Sequence, residues 1–370
     1  MLIGVPKETK NHEYRVGMTP VSVREVIAHG HQVVVEQGAG AGIGAEDDAY
    51  RKAGAEICAT AAEVFERADM IVKVKEPQAP ERAMLREGQV LFTYLHLAPD
   101  PEQTADLLKS GATCIAYETV TSSRGGLPLL APMSKVAGRM AVQAGANALE
   151  KAHGGRGMLL GGVPGVEPAK VVIIGGGVVG RNAAEMAVGM RADVVVLDKS
   201  EAVLEQLDGL FQGRAKTVYS TRDSLERHVL EADLVIGGVL IPGAAAPKLV
   251  SSDLIARMKP GSVIVDVAID QGGCTENSRP TTHAEPTYVI DGVVHYCVAN
   301  MPGGVPLTST YALNNATLPY ILKLANQGWR QALAQDEHLL RGLNVHAGKL
   351  TNAEVGEALN LDFIEPSQVL

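Results

Sequence analysis

Residues 171–200 read VVIIGGGVVGRNAAEMAVGMRADVVVLDKS, and this stretch restricts the fold more than any other. Val171 to Ile174 is a short apolar run rich in β-branched residues, the pattern of a buried parallel strand. Gly175, Gly177 and Gly180 follow as G-x-G-x-x-G, and Asn182 to Arg191 then has the small and apolar spacing of a helix packed on a sheet. A second buried run, Val194 to Leu197, ends on Asp198. Strand, glycine turn, helix and acid-terminated strand make a βαβ unit, which demands a parallel sheet. Gly175 permits the tight turn, Gly177 lets backbone approach a pyrophosphate, and Gly180 lets helix and strand pack closely. The helix N-terminus adds N–H donors and positive potential for phosphates. Asp198 accepts hydrogen bonds from ribose hydroxyls and repels a 2′-phosphate, so the pattern points to NAD over NADP. Lys199, next along, partly offsets that repulsion.

With 40 glycines in 370 residues, such spacings also arise by chance, so context has to separate them. In GAGAGIGA (residues 38–45), Gly40, Gly42 and Ala45 repeat the spacing after a strand-like run. No acid ends a following buried strand, and EDDAYRKAG opens the next helix with negative charge that would repel phosphates. This segment reads as a loop.

A net charge of −9 argues against nucleic acid or an anionic membrane as partner. No apolar run reaches the roughly 18 residues of a membrane span, and the N-terminus lacks the basic-then-apolar order of a signal peptide. Cys58, Cys114, Cys274 and Cys297 are scattered, which suits reduced thiols in the cytoplasm. No spacing suggests a metal site.

Strand-like runs alternate with helical stretches through the first 130 residues (HQVVVEQ, ADMIVKVKE, GQVLFTYLHL, GATCIAYETV), which implies a second set of βαβ units. ADLVIGGVLIPG and GSVIVDVAID continue the glycine-fingerprint unit. After a Pro/Gly turn and a polar cap, a long helix follows in LTSTYALNNATLPYILKLANQ. The expected fold class is α/β, with two Rossmann-like doubly wound domains flanking a cleft. Residues 1–130 plus 305–370 form a discontinuous substrate and catalytic domain, and 131–304 form the dinucleotide domain.

A dehydrogenase also has to hold a substrate and move a proton. Arg15 lies in a polar loop, KNHEYRVGMTP, where its planar fork suits a carboxylate, although a solvated surface arginine fits the same pattern. In IVKVKEP, Lys73 and Lys75 occupy alternate positions of an apolar strand and so face one side, either lining a cleft or guarding a sheet edge. His96 ends the apolar run VLFTYLHL, as a proton carrier or as a packed histidine. Asp270 ends GSVIVDVAID, either facing a nicotinamide or capping the next turn. Ser134 and Asn300 occupy polar loop positions suited to phosphate or nicotinamide contacts.

Together GVPKE, E-x-RVGMTP, VKVKEP, YLHLA, APMSKVAGRMA, the glycine fingerprint with Asp198, DVAIDQGG and CVANMPGGVPLTSTYALNNATLPY resemble the bacterial L-alanine dehydrogenase family, collinearly from residue 4 to about 361. The resemblance implies NAD-dependent, reversible oxidative deamination of L-alanine to pyruvate and ammonium by a homohexamer. It gives Arg15 and Lys75 to the substrate, and His96 and Asp270 to proton transfer. It gives cofactor contacts to Ser134, Gly175, Gly177, Val178, Gly180, Asp198, Ser220, Val239, Leu240, Val267, Ala268, Ile269, Asp270, Arg279, Val298, Ala299, Asn300 and Met301. One departure is visible: the family pattern has a lysine near position 203, where this chain has Val203. Relatives of the same fold, the lysine and saccharopine dehydrogenases and the soluble transhydrogenase subunit, are the alternative readings.

Overall fold

The computed structural model describes residues 1–239 and 246–370. Leu240, assigned above to the cofactor, lies outside the described residues. The chain divides into two compact units, Met1–Met133 with Gly303–Leu370, and Ser134–Pro302.

In the first unit, six strands come before residue 133: β1 (Leu2–Val5), β2 (Gln32–Glu36), β3 (Glu56–Cys58), β4 (Met70–Val72), β5 (Val90–Thr93) and β6 (Thr113–Ala116). The second unit contributes β7 (Lys170–Ile174), β8 (Asp193–Asp198), β9 (Ala215–Tyr219), β10 (Leu234–Gly237), β11 (Val263–Asp266), β12 (Thr287–Ile290) and β13 (Val293–Tyr296). The chain then returns to the first unit with β14 (Leu343–His346) and β15 (Lys349–Leu350).

The first sheet runs β15-β14-β6-β5-β4-β1-β2-β3, with β1 to β6 parallel and β14 and β15 antiparallel at one edge. The second runs β12-β13-β11-β10-β7-β8-β9, parallel except for the edge strand β12. Counted from the first strand of each unit, the parallel part of both sheets has the order 3-2-1-4-5-6 of the doubly wound fold. The α/β class expected from the sequence is thus found twice. Strands β4, β5, β6, β10, β11 and β13 are buried along their whole length, because helices cover both faces of each sheet. Small residues allow that cover to sit close: Ala183, Ala184 and Ala187 of helix Val178–Gly189 are buried in one cluster with Val171, Ile173, Val194 and Val196.

The fold corrects several local expectations. The fingerprint helix starts at Val178, inside the glycine motif, and ends at Gly189. β4 stops at Val72, so Lys73 and Lys75 lie beyond the strand and are not set to one side by its alternation. An edge guard is also excluded, because β4 is interior, between β1 and β5. His96 lies past the end of β5 at Thr93. Asp270 rides on the 3-10 turn Val267–Gln271, because β11 ends at Asp266. Ser134 is helical, within Ala131–Ala148, and not in a loop. The long helix Pro306–Gln327 begins on Val305 without a side-chain cap. GAGAGIGA forms a short 3-10 turn, Ala41–Ile43, before helix Asp47–Ala53 with its acidic first turn.

Candidate active site

In a doubly wound sheet, ligands gather outside the carboxyl ends of the strands, where the order reverses. In the first unit that switch lies between β1 and β4. Arg15 is in the segment after β1, Lys75 follows β4, and His96 follows β5. Val72 pairs with Phe92, so the segments carrying the last two leave adjacent strands side by side.

Arg15 is only 2% exposed, so the solvated alternative fails. Its Nε and Nη2 donate to the two carboxylate oxygens of Glu13 at 2.6 and 2.5 Å, and Nη1 lies 3.0 Å from the Met133 sulfur. Burial alone would weaken the guanidinium's hold on its proton, but Glu13's hydrogen bonds and charge outweigh it and raise the Arg15 pKa. Glu13 therefore fixes the plane of a permanently charged fork.

The two lysines separate sharply. Lys73 is fully buried, with Nζ 3.2 Å from Glu8 Oε2 and 2.7 Å from Glu81 Oε1. Burial pulls its pKa down, and the two carboxylates more than reverse that, so Lys73 stays charged. Glu8 is raised by burial, against the pull of Lys73. Its other oxygen, Oε1, accepts from the backbone N–H of Val74 at 2.7 Å and of Lys75 at 3.4 Å. Thr93 donates to the Lys75 carbonyl at 2.9 Å. Lys73 is thus the anchor of the segment and Lys75 is what the segment presents. The Lys75 amine lies 3.7 Å from Glu76, which also pairs with Lys10.

His96 is not a packed histidine, because its side chain is 44% exposed. Its ring stacks on Tyr94 at 5.8 Å between centroids and 8° between planes. Its backbone is left-handed, with φ of 49°, a conformation that costs a non-glycine residue about 1–2 kcal/mol. Such strain persists only where surroundings enforce it.

In the second unit, the switch lies between β7 and β10. The glycines after β7 behave differently from one another. A Cβ on Gly180 would sit 1.7 Å from the Gly175 carbonyl oxygen, so helix and strand could not keep their spacing. A Cβ on Gly177 would meet nothing within 4 Å. Gly177 is also the N-cap of helix Val178–Gly189, with no side chain capping it, so open space lies against uncapped N–H donors. Val178, the first helical residue, is 43% exposed. Asp198 closes β8 and ties the loop to it, accepting from Gly176 N–H at 2.6 Å and Ser200 N–H at 2.7 Å. Val203 packs beneath the loop, with Cγ1 2.7 Å from where a Gly176 Cβ would stand, so it is a packing residue here. Ser220 follows β9, donating its N–H to the Asp198 carbonyl at 2.8 Å. Val239 follows β10 and lies 3.1 Å from a Gly175 Cβ position.

Beyond β11, Val267, Ala268 and Ile269 form the turn that exposes Asp270. The capping role considered for Asp270 belongs to Asp266. That fully buried acid accepts from the N–H groups of Ala268, Cys274 and Thr275 and from the Ser278 hydroxyl, the last at 2.5 Å. Asp270 Oδ1 instead accepts from Asn300 N–H at 3.3 Å, which brings the turn and the 298–301 loop together. In that loop Val298 and Met301 are buried and Ala299 is exposed. Arg279 lies over the Tyr288 ring at 4.2 Å.

Sequence reasoning missed Glu8, Glu13, Glu118 and Asp266. Glu8 and Glu118 follow buried strands, and their partners emerge only from strand neighbours; Glu13 and Asp266 hold residues close to them in sequence. Among the described residues, no group of three His, Cys, Asp or Glu side chains could hold a metal ion. None of their helices is long and apolar enough to cross a membrane.

Comparison with known proteins matches nearly the whole chain. Residues 4–137 match the family described as Alanine dehydrogenase/PNT, N-terminal domain, and residues 141–353 match Alanine dehydrogenase/PNT, C-terminal domain. The alanine dehydrogenase of Halomonas elongata is 63% identical over 370 residues, covering 100% of both chains. A solved L-alanine dehydrogenase superposes with a TM-score of 0.94 at 53% identity, over 97% of this chain and 99% of that one. A transhydrogenase structure from Sinorhizobium meliloti gives 0.82 at 28% identity, over 95% and 99%. Matched in both halves and along its full length, the chain belongs to the alanine dehydrogenase/PNT family.

Proposed function

We propose that the chain catalyses the reversible oxidative deamination of L-alanine to pyruvate and ammonium, with NAD as hydride acceptor. The observation that carries this reading is that Arg15, Lys75 and an exposed histidine, His96, follow the carboxyl ends of the neighbouring strands β1, β4 and β5. The whole-length identity to an alanine dehydrogenase supports the substrate.

The residues present fit NAD: an uncapped helix N-terminus, open space at Gly177 for a pyrophosphate, and a carboxylate at the end of β8 for a ribose. When bound, NAD supplies the acceptor for the hydride leaving the alanine Cα. All other steps belong to side chains. Arg15, its plane set by Glu13, and Lys75, its backbone set by Glu8, bind the substrate carboxylate and the developing carbonyl oxygen. Positioning of this kind contributes about 7–11 kcal/mol.

The amine of L-alanine first gives up a proton, and loss of hydride from Cα then leaves an iminium. A water oxygen adds to that carbon while His96 takes the water's proton, giving a carbinolamine. His96 passes that proton to the nitrogen, the C–N bond breaks as the hydroxyl proton goes to His96 and the carbonyl forms, and the released ammonia takes that proton to become ammonium. Asp270, exposed on its turn, shares the proton traffic. Proton transfer by such a group contributes about 10²–10⁴-fold. Ser134, Val178, Ser220, Val239, Leu240, Val267 to Ile269, Arg279 and Val298 to Met301 complete the cofactor contacts in this reading. Homohexameric assembly in the cytoplasm goes with the family resemblance.

NADH absorbance across a panel of amino acids tests the reading, with L-alanine expected to be the preferred substrate. A folded protein that binds NADH but reduces NAD with no amino acid would refute it.

A further inference from the structure

Glu118 is the least explained charged group near the first unit's strand ends. It lies on the 3-10 turn Tyr117–Thr119 that follows β6. Thr93 of β5 pairs with Ala116 of β6, so the two chains leave the sheet side by side. Glu118, two residues further along, then meets the segment carrying His96. Its Oε1 accepts from the Leu95 N–H at 3.1 Å and the His96 N–H at 2.6 Å, and Oε2 accepts from Leu95 at 3.2 Å. Two successive N–H groups converging on one anion form a nest, and they hold His96 in its left-handed conformation. The same Oε1 lies 3.9 Å from His96 Nδ1.

Water could satisfy two N–H groups at an exposed loop. A carboxylate only 14% exposed does something water cannot, because it also fixes a negative charge beside the imidazole. We propose that Glu118 is a positioning residue for His96, holding its backbone in place and setting the charge next to its ring. This rests on the reading of His96 as the proton carrier. Charged and titratable groups around the ring come from three elements: Glu118 after β6, Tyr94 after β5, and Arg15 after β1, whose charge reaches Tyr94.

The test uses Glu118→Gln, Glu118→Ala and His96→Ala in the full-length protein. The readouts are kcat and KM for L-alanine, NADH affinity and melting. Glu118→Gln keeps an oxygen acceptor for the nest and removes the charge. If the charge beside the ring is used, kcat falls at least tenfold while KM for L-alanine, NADH affinity and melting stay near wild type. Glu118→Ala loses the acceptor as well, so kcat falls at least tenfold below that of Glu118→Gln, with NADH affinity unchanged.

If His96→Ala keeps wild-type turnover, the reading of His96 fails, and this inference fails with it. If His96→Ala is crippled while Glu118→Gln keeps wild-type kcat, Glu118 is only a structural brace. Should Glu118→Ala fail to fold, the kcat of Glu118→Gln decides alone.

Discussion

Lys73→Met makes the sharpest test of the division between the two lysines. Methionine nearly fills the volume of the lysine stem, so the substitution removes a charge and leaves little cavity. Lys73 is the cation between Glu8 at 3.2 Å and Glu81 at 2.7 Å, and all three side chains are buried. Removing one partner of a buried ionic cluster and stranding the others typically costs about 3–5 kcal/mol. At roughly 2–4 °C per kcal/mol for a unit of 150–250 residues, melting at neutral pH should fall by roughly 6–20 °C.

The pH dependence identifies the cause. Glu8 already has a folded pKa above its usual value, because burial favours the neutral carboxyl against the pull of Lys73. Without that lysine it rises further. A group whose pKa is raised on folding contributes stability below its unfolded pKa and loses it as pH rises through the folded one. The gap between variant and wild type should therefore nearly close below about pH 4.5 and widen above it. Calorimetric or fluorescence melting across pH reads this directly, and turnover per folded molecule is measured alongside. A loss of stability that is the same at every pH would mean the damage is packing and not stranded charge. A melting temperature within about 2 °C of wild type at pH 7 would refute the ionic anchor altogether.

Lys75→Met should show the opposite pattern, with kcat/KM for L-alanine down at least a hundredfold, about 2.7 kcal/mol, and melting nearly unchanged. His96→Ala should behave likewise, since a partly exposed ring whose main contact is one stack on Tyr94 carries little packing; preserved turnover in either variant removes it from the chemistry. Gly180→Ala should unfold the second unit or sharply weaken NADH binding, because its Cβ would stand 1.7 Å from a carbonyl oxygen. Gly177→Ala should melt near wild type and still lose NADH affinity in a fluorescence titration; unchanged affinity would take that open space away from the pyrophosphate. Asp198→Arg should move the NAD:NADP ratio of kcat/KM toward NADP while weakening both, since the loop also loses its ties to Gly176 and Ser200. An unchanged ratio means Asp198 does not read the ribose.

The doubly wound architecture was legible because its signals are local. VVII, the glycines and the acid-terminated VVVLD each declare themselves within a few residues, and β7 and β8 appear where that pattern put them, with the intervening helix starting four residues earlier than expected. Strand ends were less legible. IVKVK reads as five alternating residues, but the strand stops at Val72, and Glu8, from the segment just after the neighbouring β1, captures the backbone N–H of Val74. DVAID likewise hid the capture of the turn by Asp266, whose acceptors reach residues up to Ser278. Exposure could not be read at all: Arg15 read as a loop residue and His96 as the end of an apolar strand, yet Arg15 is buried against an acid and the His96 side chain is exposed. For Lys73 and His96 what decides is a carboxylate distant in sequence, Glu8 and Glu118, and a single chain's pattern carries no record of such pairings; for Arg15 the acid is only two residues away, but nothing local says that the pair is buried.

The return of β14 to the first sheet has a consequence for biogenesis. Leu343 and Val345 pair with Ile115 and Cys114, across the whole of the second unit. During synthesis, residues 134–302 emerge as one contiguous segment that contains all the strands of its own sheet. The first sheet, by contrast, keeps β6 as an open edge until residue 350 has left the ribosome. Unpaired edges of this kind recruit other strands, so the nascent chain carries an exposed template throughout the interval in which its insert is being made. Domains fold as units during translation, and here the later segment can mature before the earlier one is sealed. The period of greatest aggregation risk is therefore set by the elongation time of some two hundred codons and not by the intrinsic folding rate of either sheet.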